Sequence, residues 1–336
     1  MVNLHRRVGL GALVAWWGAG CAAPDVPTFA ALPLSPALLT PWLSLTGGWR
    51  AMSVAVPPAM PTGLSTLAPM PGPARAVLPT RLNFQWPVAL AARDDTVLVA
   101  DVGLRQLLRV DRSRDQVTPI ATLSTDRGVA LQIAPDGSVW LAEPGSGLVR
   151  QLDRDGRVLR RWSDDRLAAR PVAIAWLPES GGDVFVADAQ LAQIVAFDVF
   201  GRGLQRFGQG RLQSVAAMAT GPQGLYVVDR LAQQVLVFDR QGALLAAMGA
   251  DSLVMPHAIA VDRAGRVFVA DEADAAIHVF IDGQRVARLA GAAALRVSRI
   301  DALATDANLL FAADSLSSRV QILLITPESL RRPAPP

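Results

Sequence analysis

From about residue 75 to residue 326 the chain alternates short apolar runs with turn residues. The clearest set lies between Pro256 and Gly291. Apolar runs at 258–261, 267–270, 277–281 and 285–290 are separated by Asp262 and Gly265, by Asp271, and by Asp282 and Gly283. Runs of this length, rich in Val, Ile and Phe and broken by Asp and Gly, predict strands in hairpin order rather than a helix. Four antiparallel strands make one small sheet. Such a sheet cannot bury both faces alone, so copies must stack.

The copies are present. An acid closes the second run at Asp101, Glu143, Asp188, Asp229, Asp271 and Asp314, at spacings of 42, 45, 41, 42 and 43 residues. Ten residues after each acid the third run ends, at Asp111, Asp153, Asp198, Asp239, Ile281 and Leu324. The first run starts at Val88, Val129, Val172, Val215, His257 and Ile300. Three registers agree on six repeats. A period near 40 to 45 residues with four strands per repeat predicts a propeller blade. The expected fold is all-β: a six-bladed β-propeller of four-stranded antiparallel blades, its ring closed by an N-terminal strand.

That closure follows from the sixth repeat, which has only three runs, at 300–304, 309–313 and 320–325. The residues after it are Pro-rich and too few for a fourth strand. Segment 76–82 precedes the first inner strand by the offset at which each outer strand precedes the next inner one. It is therefore expected to supply the missing outer strand of blade six, with Pro79 tolerated on an edge.

The strings VFVAD at 184–188 and 267–271, LYVVD at 225–229, AFDVFG at 196–201 and VFDRQG at 237–242 resemble the NHL-repeat six-bladed propellers. The resemblance covers about residues 75–326. The family places Asn three residues after the acid; here Leu104, Ser146, Leu191, Ala232, Asp274 and Ser317 stand there. The Arg two residues further on survives only as Arg319. The resemblance therefore implies a degraded polar clamp across that turn.

Composition narrows the function. The 32 basic residues are all arginine, they interleave with 29 acids, and the formal net charge is only +3. A nucleic-acid binder concentrates positive charge on one face, so no nucleic-acid partner is expected. A single cysteine excludes an internal disulfide.

Residues 1–20 have the layout of an export signal: Arg6 and Arg7, then an apolar stretch from 8 to 19 that is too short to span a bilayer. It ends in Gly18, Ala19 and Gly20, directly before Cys21. Small residues before a lone cysteine resemble a bacterial lipoprotein signal, although Leu is usual where Gly18 stands. The resemblance implies lipid attachment at Cys21, and Ala22-Ala23 after it implies the outer membrane facing the periplasm. Residues 21–73 are expected as a Pro/Ala-rich tether: 22–73 hold eleven prolines and only two charges, Asp25 and Arg50. The propeller is placed at 74–326 and a Pro-rich tail at 327–336.

Chemistry is expected at one rim of the channel. In an antiparallel blade the end of strand two lies beside the start of strand one, so the six acids and the inner-strand starts share one end. Two residues there depart from the repeat. His257 replaces an apolar residue, and Asp301 stands where the other copies have Ala. They are the candidate ligand contacts, with Asp271 and Asp314 at the matching strand ends, and a His257–Asp301 ion pair is the alternative use for them. No catalytic residue, cofactor or metal site is expected, because the inner strands are mostly Ala, Val, Leu and Ile. Among related propellers, the amidating lyases and lactonases use a metal and several polar channel residues. Two readings result. One is a membrane-tethered, monomeric binding module for an envelope protein, peptide or glycan. The other is a periplasmic metal-dependent hydrolase or lyase.

Overall fold

The computed structural model describes residues 38–56, 74–124, 128–162, 170–177, 182–198, 200–290 and 295–326, with backbone only for 51–56 and 74–79. The leader 1–20, Cys21, tether segments 22–37 and 57–73 and the tail 327–336 lie outside the described residues. Every described element is a β-strand. Six antiparallel sheets are arranged as the blades of a propeller. Their inner strands are Pro87–Arg93, Ala130–Ile133, Pro171–Leu177, Val215–Gly221, Pro256–Val261 and Ala302–Asp306. The second strand of each blade ends on the acid that the spacing picked out, from Thr96–Asp101 to Leu309–Asp314.

Side-chain size decides why the strands take these places. Inner strands converge on the axis and must be thin, whereas second strands lie where the blades diverge. Accordingly Phe185, Tyr226, Phe268 and Phe311 pair across to Ala175, Ala219, Ala260 and Ala304. The second strands are buried on both faces, because each blade packs against a neighbour on either side. Six apolar clusters result, each shared by two adjacent blades.

The ring is closed by an N-terminal strand, but by a different one from that expected. Leu39–Leu45 pairs antiparallel with Arg319–Ile325 and completes blade six. Ser44 Oγ donates to Gln321 Oε1 at 2.6 Å, and Gln321 Nε2 donates to the Leu43 carbonyl at 2.9 Å. Segment 76–82 lies instead within Ala74–Asn83, which forms a hairpin with Gly47–Val56 on the outer edge of blade one. Only Trp49 and Gln116 pair across that junction. Gly47 has φ 135, and a Cβ on it would lie 1.8 Å from the Leu82 carbonyl oxygen. A Cβ on Gly48 would lie 2.7 Å from Val117. Glycine is needed at both places for the hairpin to close on itself and on the blade.

Residues 39–56 are thus strands rather than tether. Of the eleven prolines counted over 22–73, only Pro41 falls among them, and it sits at a register shift of an edge strand, where a missing N–H costs little. Averaging over the whole segment hid a locally regular apolar stretch.

Candidate functional site at the channel mouth

The six acids build the rim. Asp229 accepts backbone N–H groups from Gln213, Ser214 and Ala232 at 2.7, 3.0 and 3.1 Å. Asp101 does the same with Gln85, Trp86 and Leu104. Glu143, one methylene longer, reaches Ser124 N and the guanidinium of Arg150 at 2.8 Å. The five aspartates tie the loop entering each blade to the turn leaving its second strand, and Glu143 ties its entering loop to Arg150 on the third strand. The clamp expected to be degraded is therefore intact, because its donors are main-chain N–H groups of residues such as Leu104, Leu191 and Ala232. A side-chain Asn is not needed for it.

This corrects the placement of two candidates. Asp271 and Asp314 are 1% and 0% exposed and hold the same backbone donors: Val254, Met255 and Ala273 for the first, Ser298, Arg299 and Ser317 for the second. They shape the rim from inside and do not open onto the mouth.

The other two candidates are brought together, and the pairing register sharpens their relation. Ala89, Ala258 and Ala302 face Ala100, Ala270 and Ala313 across their sheets. Counting from these alanines puts His257 and Asp301 on the same rung of adjacent blades. The other four blades carry Val88, Val129, Val172 and Ala216 on that rung. Alignment from the start of the apolar run had placed them one residue apart. The two do not form an ion pair. His257 Nε2 meets the Ile300 carbonyl oxygen, and its Nδ1 is buried without a hydrogen-bond partner. Asp301 accepts the Ser315 N–H at 3.1 Å and pairs with Arg299 Nε at 2.9 Å.

Further polar groups surround them. Arg230 and Glu272 form an ion pair at 2.6 Å. The hydrogen bond from Arg230 holds the Glu272 carboxyl below its usual range against some desolvation, helped by the charges of His257 and Arg299. Sequence reasoning missed Arg230, Glu272 and Arg299. A signal existed: the residue following the acid is Val102, Pro144 and Ala189 in blades one to three but Arg230, Glu272 and Ser315 in blades four to six. One half of the mouth is apolar and the other is charged.

The mouth itself is shallow, with a cavity of about 110 Å³. Its floor is a ring of Leu90, Leu131, Ile174, Met218, Ile259 and Leu303, and beyond that ring a separate cavity opens at the other end of the channel. Around the mouth the clamped loops present exposed apolar side chains. Trp86 is 55% exposed, Leu231 69% and Leu316 70%, with Leu191 and Val254 also exposed. Among the described residues no three His, Cys, Asp or Glu side chains converge as a metal-holding group. His278 is buried away from the mouth, where Asp274 meets it at 3.0 Å.

No family model matches the chain, and no curated protein matches it. Solved structures do. A streptogramin B lyase is 13% identical, with 84% of this chain and 89% of that chain covered and a TM-score of 0.56. A catalytically inactive histidine-to-alanine variant of the virginiamycin B lyase from Staphylococcus aureus, with quinupristin, is 12% identical, with 82% and 99% covered and a TM-score of 0.57. A protein of unknown function from Bacteroides thetaiotaomicron is 13% identical, with 72% and 70% covered and a TM-score of 0.57. The chain is thus a six-bladed propeller with the fold of the virginiamycin B lyase-like proteins. At this identity the likeness concerns the fold alone.

Proposed function

We propose that the protein is a lipid-anchored binding propeller of the bacterial cell envelope that docks a protein or peptide on the face carrying His257 and Asp301. One observation carries this reading. Trp86, Leu191, Leu231, Val254 and Leu316 form an exposed apolar crown on rigidly clamped loops. Apolar side chains that fold into no core, rimmed by charged groups, mark an interaction surface. The mouth they encircle has room for one inserted side chain rather than a whole small-molecule substrate. Its charged groups are already paired, Arg230 with Glu272 and Arg299 with Asp301, as suits a polar rim. The anchor would be Cys21.

A photo-crosslinking residue at Leu231 or Leu316, in cells of the native host, is expected to capture a discrete partner. The same residue at Phe200, exposed at the opposite end of blade three, should capture none. Equal capture at all three positions, or none at the crown, would remove the reading. Anchoring is tested separately: labelled fatty acid should enter the wild type and not Cys21→Ser.

A second reading, a lyase, is favoured by the orphaned buried Nδ1 of His257 and by neighbours that include a lyase inactivated through loss of a histidine. Turnover of quinupristin by this protein, abolished in His257→Ala, would establish it in place of the first.

A further inference from the structure

The larger cavity of the channel lies at the end away from His257 and measures about 260 Å³. It falls near the lower end of small-molecule pockets and is far too small for a protein segment. Polar groups enter it where the inner-strand rungs are otherwise small or apolar. Gln132 interrupts a rung that is Ala91, Ala175, Ala219, Ala260 and Ala304 elsewhere. Thr220 and Thr305 share the next rung, and Arg93, Asp262 and Asp306 the one after, with Arg263 beside them.

Some of these groups are engaged. Asp262 accepts the backbone N–H groups of Ala264 and Arg266 at 2.9 Å each and is ion-paired with the Arg266 side chain. Thr305 Oγ1 donates to the Val261 carbonyl at 2.8 Å, stitching blade six to blade five. Others have capacity left. Gln132, Thr220 and Arg263 make no side-chain hydrogen bond to any described residue. Asp306, on the same rung as Asp262, is half-buried and takes a single backbone N–H, from Asp94. Burial, with the Asp94 carboxylate beside it, pushes the Asp306 carboxyl above its ordinary range, against the pull of Arg112 and Arg263.

The cavity is lined by two arginines and two aspartates, of which Arg263 and Asp306 keep capacity, whereas Asp262 is held by Arg266 and Arg93 lies 3.9 Å from Asp94. A simple anion would meet two carboxylates there, and a simple cation two guanidiniums. A molecule bearing both charges a few ångströms apart satisfies both. We propose that this end of the channel binds a small zwitterion, a free amino acid or a peptide of very few residues, with its ammonium on Asp306 and its carboxylate on Arg263. Gln132 and Thr220 face the remainder of the molecule. Charge-assisted hydrogen bonds at both ends of the ligand are the strong kind, and they would relieve an under-solvated carboxyl.

Ligand-observed NMR of the full chain with the twenty common amino acids and a set of dipeptides tests the idea, followed by calorimetric titration of the best binder. Saturable binding is expected, at least about ten-fold weaker for the N-acetylated and the amidated forms of the same molecule, which each lack one charge. Asp306→Asn and Arg263→Ala should each lose about ten-fold or more with no loss of thermal stability. Affinity should rise with pH across the titration of Asp306, which Asp94, Arg112 and Arg263 face, because only the carboxylate attracts an ammonium. No saturable binding by any probe, binding indifferent to acetylation or amidation, or unchanged binding in the folded Asp306→Asn protein would each overturn the proposal.

Discussion

Asp229 ends the second strand of blade four, and Asp306 ends the inner strand of blade six. Asp229 is fully buried and accepts three backbone N–H groups within 3.1 Å. Asp306 is half-buried and accepts one. An acid stands at the Asp229 position in every blade, whereas at the Asp306 position only Asp262 matches, and Asp262 is occupied by Arg266. The difference separates two uses of a carboxylate in one fold. Where all six copies agree, the group completes hydrogen bonds that folding itself leaves open. Where one copy departs, the group answers no need that every blade shares, which is why it is proposed for a contact outside the chain. Asp301 and His257 belong with Asp306 in this respect, and Asp271 and Asp314 belong with Asp229.

The comparison breaks most readily at the clamps. Asp229→Ala leaves three partly buried N–H groups without their acceptor and is expected to cost about 2–4 kcal/mol. Urea denaturation measures it, and a loss below about 1 kcal/mol would mean that repetition there does not report folding need. The double substitution His257→Val with Asp301→Val restores the rung to the residue of blades one to three. It should shift stability by no more than about 1–2 kcal/mol, since Arg299 is half-exposed and its ion pair is weak. Crosslinking at Leu231 and Leu316 should fall; a folded double variant that still captures its partner would assign the rung to structure.

The smallest effects are those of pH, and they carry opposite signs. At Asp274, burial is outweighed by hydrogen bonds from Arg288 and His278, so the carboxyl lies below its ordinary range. A depressed carboxyl contributes stability that is fully present above its unfolded value and is lost as pH falls through the folded one. Asp274→Asn should therefore flatten the acid limb of the stability–pH curve. At Asp306 the raised carboxyl means the folded state holds its proton more tightly, so its contribution weakens as pH rises. Asp306→Asn should leave thermal stability at neutral pH unchanged or slightly higher. A clear loss there would place Asp306 among the folding carboxylates.

Repetition governed what the sequence disclosed. Blade number, blade period and the six clamp acids were legible because each appears six times, and independent registers corrected one another. The rung shared by His257 and Asp301 was one residue off, because the apolar runs of blades four and six each begin one residue earlier, relative to their pairing, than those of the other blades. The clamps looked degraded because their donors are main-chain groups, which leave no mark on residue identity. The closing strand occurs once, so nothing could be laid over it, and Pro41 with its Pro-rich flanks concealed it. Arg230, Glu272 and Arg299 became visible as exceptions only once that register was known. Asp306 left no signal in the sequence, because its position is Arg93, Ala134, Leu177, Gly221 and Asp262 in the other blades and so defines no repeat to depart from.

The strand that closes the ring also sets how the protein would answer a pull. Leu39–Leu45 runs antiparallel to Arg319–Ile325, and the Thr326 N–H bonds to the Leu38 carbonyl at 3.1 Å. Residues 38 and 326 therefore lie side by side at one end of the seam. A force that draws residue 38 away from residue 326 acts across this seam rather than along it. It would part the pairs one at a time, Leu39 from Ile325 first and Leu45 from Val320 last, as a zip opens. A load shared between the tails would thus meet little mechanical resistance. A load on one tail, carried through the strand into blade six, would have to shear the whole row at once.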